Sequence, residues 1–285
     1  MSQTAGVHPI EQSSVQGRLG IQIPVGVEPG YEANPILREY LDAAQEHGLS
    51  VVEMNVVDYD GVEAAALSDF VSGFGLRLQN LATGGMAVKR GHALAHPDSD
   101  TRADAVATIR RAIDFSRSIA GHTGLTPPGI ILGLVQGKSS DSKAGQRSLF
   151  ARSLEELVPS AQAAAVALVI ESTNRFLSGV SHTVEDSVEL AVQLRSNCIR
   201  VLPDTFHMNI EERDMCAELL RHLPYIDELH VSENNRLYPG FGMIDFRHIR
   251  NCIEAAGFRG PYVIEGNLNT SVRDAIAKSV ATLNA

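Results

Sequence analysis

Cys198-Ile199-Arg200-Val201-Leu202-Pro203-Asp204-Thr205-Phe206-His207-Met208-Asn209-Ile210-Glu211-Glu212 reads as a short buried strand that stops at a carboxylate, with an imidazole three residues on. The same punctuation recurs in the C-terminal half. Ala165-Val166-Ala167-Leu168-Val169-Ile170 stops at Glu171, Ile226-Asp227-Glu228-Leu229 at His230, and Pro261-Tyr262-Val263-Ile264 at Glu265. Strand–helix proteins place their chemistry at the C-terminal ends of their strands. Four successive strand ends carrying Glu171, Asp204, His230 and Glu265 therefore form a candidate metal site. Three carboxylates and one neutral imidazole suit a borderline-hard divalent ion, Mn²⁺ first, with Co²⁺ or Mg²⁺ as alternatives. No thiol stands at these positions, which argues against a thiolate-rich zinc site.

Outward from this stretch the chain alternates. Leu19-Gly20-Ile21-Gln22-Ile23, Ser50-Val51-Val52-Glu53-Met54, Leu76 to Leu81 and Pro128 to Leu134 read as the first four strands. Helices are expected over 35–47, 62–74, 101–120, 146–163, 184–194, 211–223, 245–256 and 272–283. In the first, Ile36, Leu37, Tyr40, Leu41 and Ala44 lie near one face, and Gly48 ends it. Eight strand–helix units in one chain of 285 residues predict a single (β/α)₈ TIM barrel over 18–285, preceded by a polar, flexible lead-in at 1–17. The runner-up, a doubly wound open sheet, would want a glycine-rich phosphate loop after its first strand. Pro24-Val25-Gly26-Val27-Glu28-Pro29-Gly30 lacks that spacing, and no Walker A motif occurs.

Composition narrows the class. With 44% apolar and 20% charged residues the chain reads as a soluble globular protein. A formal net charge of −10 disfavours nucleic acid or an anionic membrane as partner. No apolar run spans a bilayer and no secretory signal is visible. Cys198, Cys216 and Cys252 show no CxxC spacing and read as reduced thiols, so a cytoplasmic location is expected.

At this point the motifs resemble a family. Asp204 to Glu212 is similar to the DTFHMNIEE signature of the ketose 3-epimerases, the D-tagatose/D-psicose 3-epimerase group of the sugar isomerase/epimerase superfamily. Glu171-Ser172-Thr173-Asn174-Arg175-Phe176 resembles its E-x-x-N-R-F. The run from His230 to Gly240 resembles its H-x-x-E-x-N-R-x-x-P-G, and Val263-Ile264-Glu265 its terminal V-x-E. The resemblance is dense over 165–266 and only architectural over the first 150 residues. It implies a xylose-isomerase-like barrel in which Glu171, Asp204, His230 and Glu265 bind one divalent metal. His207 and Arg236 would hold substrate oxygens, and Glu171 and Glu265 would exchange protons with a carbon beside a metal-bound carbonyl. Such chemistry needs a Lewis acid on the carbonyl and a base on each face of the carbon.

The expected protein is thus a metal-dependent isomerase or epimerase of a keto-sugar or related carbohydrate, and a homo-oligomer, dimer or tetramer. Three departures stand out. Leu177 occupies the position where the epimerases place a second acid, Ser172-Thr173 follow Glu171 where apolar residues or proline are common in the family, and the polar Gly266-Asn267-Leu268-Asn269 follows Glu265. They favour a substrate other than a plain free ketohexose. They also keep open a lyase or decarboxylase acting on a 3-keto-sugar, sugar acid or glycoside through the same site. A barrel nuclease of the endonuclease IV type is disfavoured by the acidic charge and the single ligand set.

Further residues carry weaker readings. Gln136 and Lys138 follow the fourth strand on the catalytic rim, and Lys138 and Lys143 could meet a phosphate or carboxylate. Glu53, Asn55 and Asp58 lie at or after the second strand, within reach of a substrate. His92 and His96 sit in the long segment 83–100, which could form a lid. Asp245 reads as a helix N-cap, and Glu211 and Glu212 as the acidic opening of the sixth helix.

Overall fold

The protein is described by a computed structural model over residues 17–138 and 143–285, so all of the expected lead-in except Gly17 lies outside the described residues. Eight strands run Leu19–Val27 (β1), Val51–Val56 (β2), Arg77–Ala82 (β3), Gly129–Leu132 (β4), Leu168–Ser172 (β5), Ile199–Pro203 (β6), Leu229–Val231 (β7) and Tyr262–Ile264 (β8). The helices are Pro35–Glu46 (α1), Ala64–Ser72 (α2), Gly84–Arg90 (α3), Ser99–Thr123 (α4) and Lys143–Ala164 (α5). They continue with Val184–Leu194 (α6), Thr205–Glu211 (α7), Met215–His222 (α8), Phe246–Ala255 (α9) and Val272–Asn284 (α10). The strands hydrogen-bond in parallel in the order β6-β5-β4-β3-β2-β1-β8-β7. Parallel bridges Val201↔Ile226 and Asp204↔His230 join the two ends, so the sheet closes as the expected barrel.

Strand side chains alternate between two environments, as the period of two requires. Ile21, Ile23, Val52, Met54, Ile130, Leu132, Leu168, Ile170, Val201, Leu229 and Ile264 point outward into one large core shared with the helices. Ala82, Ile131, Val169 and Leu202 point inward and form a separate small apolar cluster inside the barrel. The interrupted register in β3 matters most. Val52 pairs with Leu78 but Glu53 pairs with Asn80, so Gln79 is an extra residue. This bulge reverses the alternation, so that Leu78 faces the outer core while Asn80 and Ala82 face the interior.

Helix starts follow local capping chemistry. Asn34 accepts from the Ile36 and Leu37 amides ahead of α1, with Pro35 in the first turn. Leu37, Tyr40, Leu41 and Ala44 of α1 are buried as expected, but Ile36 is exposed, because the first turn lies at the margin of the buried stripe. The expected helix over 211–223 is instead two helices. The Asp204 carboxylate accepts from the Phe206 amide at 2.7 Å and starts α7 directly after β6. Asp214 accepts from the Ala217 amide and starts α8. Glu211 therefore ends α7 rather than opening a helix, and its carboxylate takes the Arg175 guanidinium and amide. Glu212 caps the end of α7 and accepts from the Val184 amide. His230 lies within β7 rather than after it, and the segment 83–100 contains α3.

Phe150 on α5 is fully buried in the outer core. Phe150→Ala is expected to cost about 3–5 kcal/mol of stability, read as a lower urea midpoint with an unchanged slope. A change below about 1 kcal/mol would mean that the helix layer repacks freely there.

Candidate metal and substrate site

Glu171, Asp204, His230 and Glu265 all occupy inward positions of β5 to β8 or the residue just after, and they meet at one end of the barrel. Each presents one donor atom, and those atoms lie within 4.8 Å of one another. The sequence expectation of four converging side chains therefore matches the geometry. Three oxygen donors and one imidazole fit a single borderline-hard divalent ion.

The imidazole is gripped on both sides. His230 Nδ1 is 2.9 Å from Glu265 Oε2, and His230 Nε2 is 2.8 Å from Glu53 Oε2. Burial works against a charge on this ring, but the Glu53 and Glu265 carboxylates outweigh it and hold the imidazolium well above its ordinary range. Burial likewise opposes ionisation of Glu265, and Arg236 with His230 overcomes it, holding the carboxyl well below the usual range.

Arg236 is the second cation of the site. One guanidinium nitrogen pairs with Asp204 Oδ2, and the other lies 2.8 Å from Glu265 Oε1. Its backbone adopts a left-handed φ of 62°, uncommon for a side chain of this size, and its guanidinium stacks 5.1 Å from the Phe206 ring centre. His207 projects from α7 with Nε2 at 3.6 Å from Glu171 Oε1. Asn174 sets its tautomer. The Asn174 carbonyl accepts from the Phe176 amide, so its amino group donates to His207 Nδ1 at 2.8 Å. The remaining N–H of His207 is thereby turned toward Glu171.

Glu171 depends on two neighbours that sequence reasoning did not single out for it. Gln136, fully buried, donates to the Glu171 carbonyl at 2.7 Å, so it braces the strand end. Gly133 leaves room for the carboxylate: a Cβ there would stand 2.0 Å from Glu171 Oε2. A cleft of about 360 Å³ runs from Glu171 and Glu265 past Asn55 and Leu134 to Val88 and Lys89 of α3. Its size falls in the range of small-molecule pockets.

Other candidates are placed elsewhere. Glu53 is wholly buried behind His230 rather than beside the cleft. Asn55 does line the cleft, where its side-chain oxygen accepts from the Gly85 amide, whereas Asp58 caps the turn at Asp60 and Gly61. Lys143 pairs with Asp186, which occupies its charge. His92, His96 and Lys138 border a neighbouring cavity, and His96 Nδ1 accepts from the Asp98 amide. Asp245 caps α9 through the His248 amide, as expected. The three cysteines are free thiols.

A second buried group was not foreseen. Glu53, Glu228 and His230 also bring donor atoms within 4.8 Å of one another. Asn80 donates to Glu53 Oε1 at 2.6 Å and to Glu228 Oε1 at 2.8 Å. Burial, then the Glu53 charge, pushes Glu228 well above the usual carboxylate range, which favours its neutral form. Alternation along β2 would have turned Glu53 inward, but the bulge that brings Asn80 to meet it leaves no mark in the sequence pattern.

A closed barrel of parallel strands with a carboxylate–imidazole cluster at the strand ends defines the class. The chain belongs to the xylose isomerase-like TIM barrel family, which it matches over residues 41–284. It is 26% identical over 239 residues to a D-psicose 3-epimerase from Enterocloster bolteae, covering 80% of this chain and 76% of that one. It is 25% identical over 253 residues to an L-ribulose 3-epimerase from Mesorhizobium japonicum, covering 86% and 80%. A solved structure of L-ribulose 3-epimerase superposes with a TM-score of 0.79 at 22% identity, over 94% of each chain, which supports the fold. The relatives carry the names of the ketose 3-epimerase group, the resemblance read from the motifs, and epimerisation is an isomerase-type activity. Among the described residues no helix is long and apolar enough to cross a membrane.

Gly133→Ala is expected to displace the Glu171 carboxylate while leaving the fold intact. Divalent-ion affinity by calorimetry should fall at least about tenfold, the scale on which a misplaced ligand shell weakens a site. Wild-type affinity in this variant would show that Glu171 has slack that the close contact denies.

Proposed function

We propose that this protein is a divalent-metal-dependent epimerase of a keto-sugar or a close carbohydrate relative. The observation that carries this reading is the placement of Glu171 and Glu265 at one end of a sugar-sized cleft, within one cluster that also holds Asp204 and His230. Glu171, Asp204, His230 and Glu265 are the proposed ligands, with Mn²⁺ the first choice of ion. When bound, the ion would supply Lewis-acid stabilisation of negative charge developing on the substrate's carbonyl oxygen.

The chain's own residues perform the proton chemistry. Glu265, held ionised by Arg236, is poised as a base toward a substrate C–H next to the carbonyl. Glu171, on β5 across the cluster, enters the step carrying a proton and gives it to the same carbon from the other face, and proton exchange with water then returns both carboxyls to their starting states. One C–H bond breaks and one forms, so there is no net redox change. In the reverse direction the two carboxylates exchange roles. The His207 Nε2–H, aimed by Asn174, and the Arg236 guanidinium donate to substrate oxygens as these gain charge. By the family resemblance, Leu177 stands where the epimerases place an acid that contacts the free ketohexose, so the reading favours a related substrate, such as a modified or glycosidic keto-sugar. The protein is further proposed to act as a cytoplasmic homo-oligomer.

Incubation with a panel of keto-sugars and Mn²⁺ in D₂O tests the reaction. Deuterium should enter one carbon and an epimer should appear. Glu171→Gln and Glu265→Gln should each lose nearly all turnover, with their metal content measured alongside. Elimination or decarboxylation products in place of an epimer would instead select the lyase reading.

The same site predicts a pH dependence. In the metal-free protein the raised imidazolium of His230 contributes stability below the ordinary imidazole pKa of about 6.5, which is lost as pH rises through its raised folded value. A metal needs a bare nitrogen, so binding must expel that proton. Mn²⁺ affinity should therefore climb with pH up to that raised value, with proton release visible as buffer-dependent heats in calorimetry. A flat profile without proton release would contradict the assignment of His230 as a ligand.

A further inference from the structure

We infer that Glu53, with Asn80, is a positioning pair that fixes which nitrogen of His230 faces the ligand cluster. The inference rests on the metal-site reading above. Glu53 and His230 are both wholly buried, and Asn80 is 5% exposed. Glu53 accepts two hydrogen bonds on two different oxygens. Asn80 Nδ2 donates to Oε1 at 2.6 Å, and the His230 ring meets Oε2 through Nε2 at 2.8 Å. A carboxylate offers only acceptors, so in the metal-free protein both ring nitrogens carry protons, Nε2 toward Glu53 and Nδ1 toward Glu265 at 2.9 Å. Glu265 belongs to the ligand cluster with Glu171 and Asp204 and Glu53 does not, so an ion bound there would displace the Nδ1 proton and leave the Nε2 proton on Glu53. This is the arrangement in which a carboxylate behind a ligating histidine sets the ring's tautomer and orientation.

Asn80 cannot relax this constraint. Its amino group donates to Glu53 Oε1, so turning the amide over would point a carbonyl oxygen at the ionised Glu53 and leave that oxygen without its donor. The rear group of Glu53, Glu228 and His230 thus holds the imidazole from behind. The two clusters share one ring, and the Nδ1 face is the one that meets the carboxylates reaching the cleft.

The construction makes Glu53→Gln informative although it changes few atoms. An amide has one acceptor, while Asn80 and His230 bring two donors. With its oxygen toward Asn80, the new amide turns an N–H toward His230 Nε2, and the ring must shift its proton to Nδ1. With the oxygen toward His230, the amide N–H₂ opposes that of Asn80. The double variant Glu53→Gln with Asn80→Asp removes this conflict: the new aspartate accepts from the glutamine N–H₂ and from the neutral Glu228 carboxyl, and the glutamine oxygen is free for His230 Nε2–H.

Calorimetry with Mn²⁺ and long-range ¹H–¹⁵N correlation spectra of histidine-labelled, Mg²⁺-loaded protein test the pair. Wild type should carry the His230 proton on Nε2. Glu53→Gln should raise the dissociation constant for Mn²⁺ tenfold or more and move the proton to Nδ1 in part or whole, and the double variant should recover most of the affinity. Affinity and proton position both unchanged in Glu53→Gln would overturn the inference. A wild-type proton on Nδ1 with the ion at Nε2 would overturn it too, and that measurement decides even if the variants do not fold. Absence of any metal binding by wild type would instead fail the metal-site reading itself, so the two failures are separable.

Discussion

Three carboxylates that converge inside a barrel repel one another and lose their water, and the rest of the site is arranged around that cost. Two cations balance it directly. Arg236 joins Asp204 to Glu265, and His230 lies between Glu265 and Glu53. Buried like charges are tolerated only when paired and hydrogen-bonded. The barrel meets that condition by dividing its interior. The inward positions of β3 to β6 carry Ala82, Ile131, Val169 and Leu202, the last two standing two residues before Glu171 on β5 and Asp204 after β6. Glu53, His230 and Glu265 come from β2, β7 and the end of β8, with Asn80 at the boundary. The carboxylates thus stand at the strand ends on top of a small aliphatic cluster.

Much of this was legible in the sequence, for a physical reason. A parallel strand buried on both faces is a run of β-branched and aliphatic residues, so a single acid or imidazole at its end stands out. Glu171, Asp204 and Glu265 were visible in that way, and the glycines and caps between them marked the helices. What escaped was what depends on registration between strands. Glu53 interrupts a strand much as Glu171 does, yet nothing in the chain tells that its partner is Asn80. Gln136 looked like a rim residue open to substrate, but its side chain is consumed by the backbones of β4 and β5 and by Ser178 and Ser181. Glu211 and Glu212 looked like a helix opening because acids favour helix N-termini. The Asp204 cap started the helix six residues early, at Thr205, and both acids were left to accept from neighbouring segments. Local patterns report which residues are inside, and tertiary partners decide what each is for.

The bulge at Gln79 has a consequence for how this chain tolerates change over generations. It works like a reading frame written in space. Because Gln79 is the extra residue, its loss would straighten the strand and leave Leu78 outward and Asn80 inward, as they are now. A residue gained or lost between Asn80 and Ala82, where no bulge absorbs it, would instead turn Ala82 out toward the helices. Lineages of this protein should therefore tolerate a change of length at Gln79 far more readily than one a residue or two further along the strand.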